Sequence, residues 1–463
     1  MPSTPKPMRT SARTIALELL MAVEFDDAYA NLVLPKMLTA SKLDERDSGL
    51  AQELSFGTIR WQLFYDRIIE ECAQRYADEI DLKALIVLRL GTHQLLGMRI
   101  PAHAALDQTV ELAKQFVSRG AGGFVNGVLR RVSERSREDW LALLLNNLQN
   151  PVERLAVEFS HPIWVVKALQ QALSLDGRES ELRDLLLADN IAPLVSLVAL
   201  PGLAKKSDLE DLEIGPASPI GAQLDGGDPN NLVAVREGRV RIQDQGSQLA
   251  ALALVDSKPV KPNEKWLDLC AGPGGKAALL AAEARIHGAD LICNELAPHR
   301  AKLVRQALSV VDPRIQVTVE DGREYDTNHA LQFDRILLDA PCTGLGALRR
   351  RPEARWRKQQ SDVAELSKLQ EQLLDSAWKC LKAGGVLAYV TCSPHLAETN
   401  AIIDWAKKKL LDLDLIDANE VLHRINPGLA LNQTRRTTQL WPHLHQTDAM
   451  FIALLQKKST SNR

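Results

Sequence analysis

The run Trp266-Leu267-Asp268-Leu269-Cys270-Ala271-Gly272-Pro273-Gly274-Gly275-Lys276 joins a short apolar strand to a glycine-rich turn, and an Ala/Leu-rich helix follows it. Glycines at such a turn let backbone approach a ligand closely beside a helix N-terminus. The same alternation continues downstream. Asp290 to Glu295 reads as a second strand, with a helix from Pro298 to Leu308. Ile315 to Val319 is a third strand and Phe333 to Leu338 a fourth. A long helix from Ser361 to Leu381 leads into a fifth strand, Val386 to Thr391, and Met450 to Leu455 adds a late edge strand. Strands alternating with helices indicate an α/β fold, a doubly wound and largely parallel sheet, over residues 240–458.

In such a sheet, ligands bind at the carboxyl ends of the strands. Two strands end at turns that carry a cysteine, in Leu338-Asp339-Ala340-Pro341-Cys342-Thr343-Gly344 and in Tyr389-Val390-Thr391-Cys392-Ser393-Pro394. Two thiols delivered to one edge suggest thiol chemistry. The chain has six cysteines, none in a C-x-x-C pair and none beside a histidine cluster, so no metal site is expected. Cys72 and Cys380 fall in helical patterns and Cys293 inside a strand, and these read as small buried hydrophobes.

The glycine turn has neither the Walker spacing nor the dinucleotide G-x-G-x-x-G. Glu295, about twenty residues beyond it, is placed to accept from both ribose hydroxyls. Asp321, after the third strand, is placed to accept from an adenine amino group. Alternatively, each carboxylate caps the helix that follows it. In register with the turn, the two together favour an adenosine-containing ligand. No phosphate-binding residues follow, so S-adenosylmethionine fits better than a nucleotide.

A chain of 463 residues is too long for one ordinary core, and two or three domains are expected. The formal net charge is only -3, so a nucleic-acid partner would be held by local basic patches. One such run, Leu348 to Lys358, sets six basic residues against the single acid Glu353. It suits a phosphate backbone, with Trp356 placed to stack on a base or simply to pack. No apolar signal core or membrane-length span is present, which implies a cytoplasmic protein with reduced thiols. Residues 1 to about 13 read as a flexible tail. From there to Arg137 the pattern is helical: a helix from Thr14, one from Glu45 to Ile69, a buried one from Leu82 to Leu96, one from Ala104 to Val117, a Gly120–Gly123 turn and a last helix from Phe124 to Val132. Residues 138–239 read as a small α+β linker domain, with strands at Leu194 to Leu200 and Leu232 to Val235.

Several of these segments resemble known families. Arg13 ahead of an Ala/Leu helix, Asp44-Glu45-Arg46-Asp47, Pro101 before Ala104 and Leu106, and Phe124-Val125-Asn126-Gly127-Val128-Leu129-Arg130-Arg131 are similar to the antitermination factor NusB and its relatives. That resemblance implies an RNA-binding helical domain over residues 1–137. The alternative is a bundle that only packs. Asp339-Ala340-Pro341-Cys342-Thr343-Gly344-Leu345-Gly346, Thr391-Cys392-Ser393 and Cys270-Ala271-Gly272-Pro273-Gly274-Gly275-Lys276 resemble the Nol/Nop/Sun RNA (cytosine-C5) methyltransferases.

The second resemblance implies a Rossmann-like class I methyltransferase domain behind the NusB-like and linker domains. It also implies S-adenosylmethionine as cofactor, and 16S rRNA as partner, with no DNA, no membrane and a monomeric enzyme. By the same resemblance Cys392 is the nucleophile on carbon 6 of cytosine, Cys342 releases the product, and Asp339 lies between the methionine end of the cofactor and the base. Cys270, Ala271, Gly272, Pro273, Gly274, Gly275, Lys276, Glu295, Asp321 and Asp339 would hold the cofactor. Two alternatives stand: the same chemistry on tRNA, or a non-catalytic RNA-binding module. The chain departs from the family pattern at Gly272, Gly322, Val195-Ser196-Leu197 and Ala449, and the first two changes are expected to be tolerated.

Overall fold

The computed structural model describes residues 11–459, so most of the tail expected over the first residues lies outside the described residues. The chain divides into two compact units: Met1–Lys167 with Arg350–Arg357, and Ala168–Arg349 with Lys358–Arg463. The residues expected to form a separate linker domain are shared between them. Trp140, Leu144 and Val157 complete the helical core, whereas Val198, Leu200 and Ala217 join the core of the second unit.

The helical unit follows from capped, amphipathic segments. Asp44 accepts from the Asp47 N–H at 2.7 Å to start the helix Glu45–Arg60. Asp81 accepts from the Ala84 N–H at 3.0 Å to start Leu82–Leu96. Caps of this kind are worth about 1 kcal/mol. Leu82–Leu96 is buried around most of its circumference, packed with the helices Ala12–Phe25, Gln62–Ala73, Ala102–Phe116 and Ala121–Val132. The glycines at 122 and 123, expected in a turn, lie in the first turn of that last helix.

The helix expected from Glu45 to Ile69 breaks at Trp61 into Glu45–Arg60 and Gln62–Ala73. The N–H groups of Leu63 and Phe64 donate to Ser160 Oγ, at 3.0 and 3.4 Å, instead of to carbonyls one turn back. The two carbonyls so released accept from elsewhere: Ile59 O from Trp356 Nε1 at 2.8 Å, and Arg60 O from Arg355 Nη1 at 3.2 Å. Helix ends require such partners for their orphan carbonyls. Arg355 also donates to Ser160 O at 3.0 Å and is fully buried, and Arg357 donates to Val23 O and Ala28 O. Part of the basic run is therefore committed to the protein's own carbonyls, while Arg351 remains exposed. Arg355, Trp356 and Arg357 serve helix ends and loops of the helical unit, while Arg349, in the second unit, donates to Gln446 O at 2.6 Å.

In the second unit, β1 (Val195–Ala199), β2 (Glu213–Ile214), β3 (Gly221–Leu224) and β4 (Val240–Ile242) form a small antiparallel sheet in the order β2-β3-β1-β4. The strand expected at Leu232 to Val235 is instead a helical turn, Val233–Arg236. The large sheet holds β5 (Lys265–Asp268), β6 (Asp290–Asn294), β7 (Gln316–Thr318), β8 (Phe333–Asp339), β9 (Leu381–Thr391), β10 (Leu413–Ile416), β11 (Thr438–Gln439) and β12 (Phe451–Lys457). Its order is β10-β12-β9-β8-β5-β6-β7, with β11 also paired to β12. The strands from β7 to β9 run parallel, and β12 is antiparallel to β9 and β10. β12 is thus an interior strand, not the expected edge. Its unbroken Phe451-Ile452-Ala453-Leu454-Leu455 run is buried on both faces, as a central strand requires. The edge belongs to β10, whose Asp414 breaks the apolar pattern.

Arg335 fixes the amino-end side of this sheet. It is fully buried on β8 and donates to Glu264 Oε2 at 2.7 Å, Leu254 O at 2.7 Å, Val255 O at 3.1 Å, Ser257 Oγ at 3.1 Å and Lys258 O at 2.8 Å. Removing one member of a buried, hydrogen-bonded pair strands the other. Arg335→Ala is expected to cost about 3–5 kcal/mol of unfolding free energy in urea titrations. A loss below about 1 kcal/mol would mean that the pair behaves like an exposed one.

Candidate active site

The carboxyl ends of β5, β6, β8 and β9 open on one edge, and the sequence-predicted residues gather there. After β5, Gly274 adopts φ +110° as the residue before the helix Gly275–His287, a conformation that L side chains rarely adopt. Its N–H donates to Ala271 O at 2.8 Å, which closes the turn. Glu295, at the end of β6, is 5% exposed and reaches back to this turn. Its Oε2 accepts from the Gly272 N–H at 3.0 Å and its Oε1 from the Ala297 N–H at 3.0 Å. A Cβ at position 272 would collide with that carboxylate, so Gly272 permits the contact and is more than a tolerated change. Arg300 donates to Gly272 O at 2.6 Å and fixes the other side of the same residue.

Asp321 is engaged differently. Its carboxylate accepts from both the backbone and the guanidinium of Arg323, at 3.0 Å to N and Nε, and this pairing holds its pKa below the ordinary range. Of the two readings open to it, the structure displays the cap, so contact with an adenine would require Arg323 to turn away.

The two thiols meet. Cys342 Sγ lies 3.5 Å from Cys392 Sγ, although 50 residues separate them in sequence. The contact with Cys392, burial, and the charges of Cys392, Glu398 and Asp339 push the Cys342 thiol well above its ordinary value. Cys342 therefore resists ionisation, and the two sulfurs lie within hydrogen-bonding reach of each other. Beside them Lys276 Nζ donates to Asp339 Oδ2 at 2.8 Å. Burial works against the Lys276 ammonium, but Asp339, Cys392 and Asp268 outweigh it and raise its pKa. A fixed cation at this position favours a thiolate on Cys392. Cys270 is pushed the other way by burial and by three neighbouring carboxylates, and is no nucleophile. Cys72, Cys293 and Cys380 are buried in cores, as their patterns suggest, and no disulfide forms among the described residues.

Two acids of this edge escaped the sequence reading. Asp268 ends β5 and is 1% exposed, and its carboxylate has no side-chain hydrogen-bond partner among the described residues, only the Cys270 backbone beside it. Burial and the charge of Asp339 push it up to about 8 against the pull of Lys276. Glu398 lies six residues beyond Cys392 and is completely buried. The nearest signal for either was position: an acid at a strand end for Asp268, an acid just past the second cysteine turn for Glu398.

This edge suits S-adenosylmethionine. A buried carboxyl group with no side-chain partner, an acid against the glycine turn and an ammonium already engaged by Asp339 would welcome a cationic ligand and offer little to a phosphate. Among the described residues, no group of His, Cys, Asp or Glu could hold a metal ion, and no helix is long and apolar enough to cross a membrane.

The fold and this edge define a class: a Rossmann-like methyltransferase that uses S-adenosylmethionine. Residues 257–456 match the family model of the 16S rRNA methyltransferases RsmB/F, and residues 10–134 match the NusB family. The chain belongs to the RsmB/F family of ribosomal RNA methyltransferases, with a NusB-family helical domain ahead of the catalytic one. It is 43% identical to a Mycobacterium tuberculosis protein named only as a methyltransferase, over 96% of both chains. It is 34% identical to the ribosomal RNA small subunit methyltransferase B of Pseudomonas putida, over 84% of this chain and 87% of that one. The crystal structure of PH0851 superposes with a TM-score of 0.80 at 21% identity, over 98% of this chain and all of the other. NSun6 from Pyrococcus horikoshii, solved with SFG, has a TM-score of 0.50 at 18% identity, over 63% of this chain and 98% of the other.

Proposed function

We propose that this enzyme methylates carbon 5 of a cytosine in 16S ribosomal RNA through a covalent bond from Cys392 to carbon 6. The observation that carries the reading is the 3.5 Å approach of the Cys342 and Cys392 sulfurs beside the Lys276–Asp339 ion pair. Carbon 5 of cytosine is a poor nucleophile. A thiolate that adds to carbon 6 breaks the ring's aromaticity and makes carbon 5 enamine-like. Residues 270–276, Glu295, Asp321 and Asp339 would hold S-adenosylmethionine, which when bound would supply an electrophilic methyl group.

The residues divide the remaining work. Lys276 favours the Cys392 thiolate, and the Cys342 thiol donates to it. Asp339, turned from Lys276 toward the N3 side of the base and protonated from water, donates to N3 and neutralises the charge that addition places on the ring. Bond formation consumes the Cys392 thiolate and so removes the first cause that keeps Cys342 protonated. Cys342 then loses its own proton to water and, as a thiolate, takes the carbon-5 proton; the Cys392–carbon 6 bond breaks, its electron pair returning to sulfur as aromaticity returns. That sequence gives the two thiols their order of use with water as the only other proton acceptor.

Digestion of methylated 16S rRNA to nucleosides, followed by mass spectrometry, tests the product. 5-Methylcytidine is expected, and bisulfite sequencing of RNA from cells lacking the protein should lose one signal in 16S rRNA. Label on another base atom contradicts the chemistry, and loss confined to tRNA contradicts the substrate. Lys276→Met is expected to lower kcat by about 100-fold and to move the acid limb of the pH–rate profile upward, because the thiolate loses its cation. An unmoved limb would assign Lys276 to cofactor binding alone.

A further inference from the structure

We infer that Glu398 is a positioning residue that sets the gap between the two active thiols, by gripping the residue after each cysteine with one carboxylate. Glu398 Oε1 accepts from the Thr343 N–H at 2.7 Å. Its Oε2 accepts from Thr343 Oγ1 at 2.5 Å and from Ser393 Oγ at 2.6 Å. Thr343 follows Cys342 and Ser393 follows Cys392. One side chain therefore bolts the turn after β8 to the turn after β9, and the two hydroxyls meet at 3.1 Å across the joint.

The bolt is itself fixed. Gln370 Nε2, from the helix Asp362–Cys380, donates to Pro341 O at 2.8 Å and to Glu398 Oε1 at 3.3 Å. Tyr389 donates its hydroxyl to Glu398 O at 2.8 Å and also lies 3.2 Å from Gln370 Oε1. Every donor to the carboxylate is neutral, and Glu398, Thr343 and Ser393 are each at most 2% exposed. A desolvated carboxylate is costly unless its oxygens are filled. Four donors fill them here, so moving either turn would strand a buried charge. The arrangement is rigid for that reason, and it ends at the sulfurs. Gly346 N–H donating to Cys392 O at 2.9 Å is the second tie between the turns, on the opposite side of the cysteine.

The inference rests on the two-thiol reading above, and its test uses a readout that needs neither RNA nor cofactor. Diamide, an azo oxidant, takes two electrons and two protons from a pair of thiols and becomes a hydrazine. The thiols become a disulfide, and its rate of closure reports how often the sulfurs meet. In the full-length protein, Glu398→Ala is expected to slow Cys342–Cys392 closure about tenfold and to lower kcat for methyl transfer about 100-fold, with cofactor affinity unchanged. Glu398→Gln should recover most of the closure rate, because its amide can still span both turns once the hydroxyls rotate to accept. Closure at the wild-type rate in Glu398→Ala overturns the inference, as does a lost kcat with unchanged closure. If Glu398→Ala does not fold, the double variant Thr343→Val with Ser393→Ala deletes the hydroxyl donors and keeps the acid. It should show the same slowing, and wild-type closure in it overturns the inference equally. A wild-type enzyme that forms no 5-methylcytidine would instead remove the cytosine chemistry and leave the closure rates as they stand.

Discussion

Cys392→Ala is expected to lower methyl transfer by at least about 10⁴-fold, the order of loss when an enzyme is deprived of its covalent nucleophile. Cys392 follows the end of β9, beside a lysine whose ammonium is held by Asp339 at 2.8 Å. The other thiols are disfavoured as nucleophiles. Cys342 resists ionisation, Cys270 is raised by burial among carboxylates, and Cys72, Cys293 and Cys380 are buried in cores. Cofactor affinity should change by no more than about twofold, because the thiol acts on the base and not on the cofactor cradle. Calorimetric titration with S-adenosylhomocysteine and a single-turnover methyl-transfer assay separate the two. Turnover above about 1% of wild type would remove covalent catalysis by this residue.

Cys342→Ala should do something different: form the covalent bond and fail to release it. The Cys342 sulfur lies within 3.5 Å of the nucleophile and is the nearest sulfur able to take the carbon-5 proton once Cys392 has been consumed. Without it, elimination slows while addition persists, and an enzyme–RNA species accumulates. It is expected as a retarded band on denaturing gels, absent from wild type and from the double variant with Cys392→Ala. Addition should itself slow somewhat, since the Cys342 hydrogen bond to the thiolate is lost. A fast, clean turnover in Cys342→Ala would show that another group removes the proton.

Much of this site was legible because its parts are local. A strand, a glycine turn and a helix declare themselves within a few residues, and each cysteine turn follows a visible strand. Their convergence needed only the rule that parallel strands share a carboxyl edge. What the sequence hid was pairing across distance. Lys276 meets Asp339 at a separation of 63 residues, and Glu398 meets Thr343 at 55. No periodicity reports such contacts, so Lys276 read only as part of the turn and Glu398 did not register. The inward role of Arg355 and Trp356 within the run at 348–358 was hidden for a related reason. Charge is visible in sequence, but the released carbonyls of Ile59 and Arg60 that claim Trp356 and Arg355 are not. The last strand was misplaced because an apolar run signals burial without giving an order, and β12 inserts between β9 and β10.

The central claim is that Cys392, and no other residue, bonds to the base. Cys342→Ala enzyme, incubated with 16S rRNA and S-adenosylmethionine, then digested with nuclease and protease, gives peptides for mass spectrometry. A methylated cytidine mass on the peptide containing Cys392 is the predicted result. A nucleotide on any other residue, or an intact methyl-transfer rate with no bonded peptide, would contradict it.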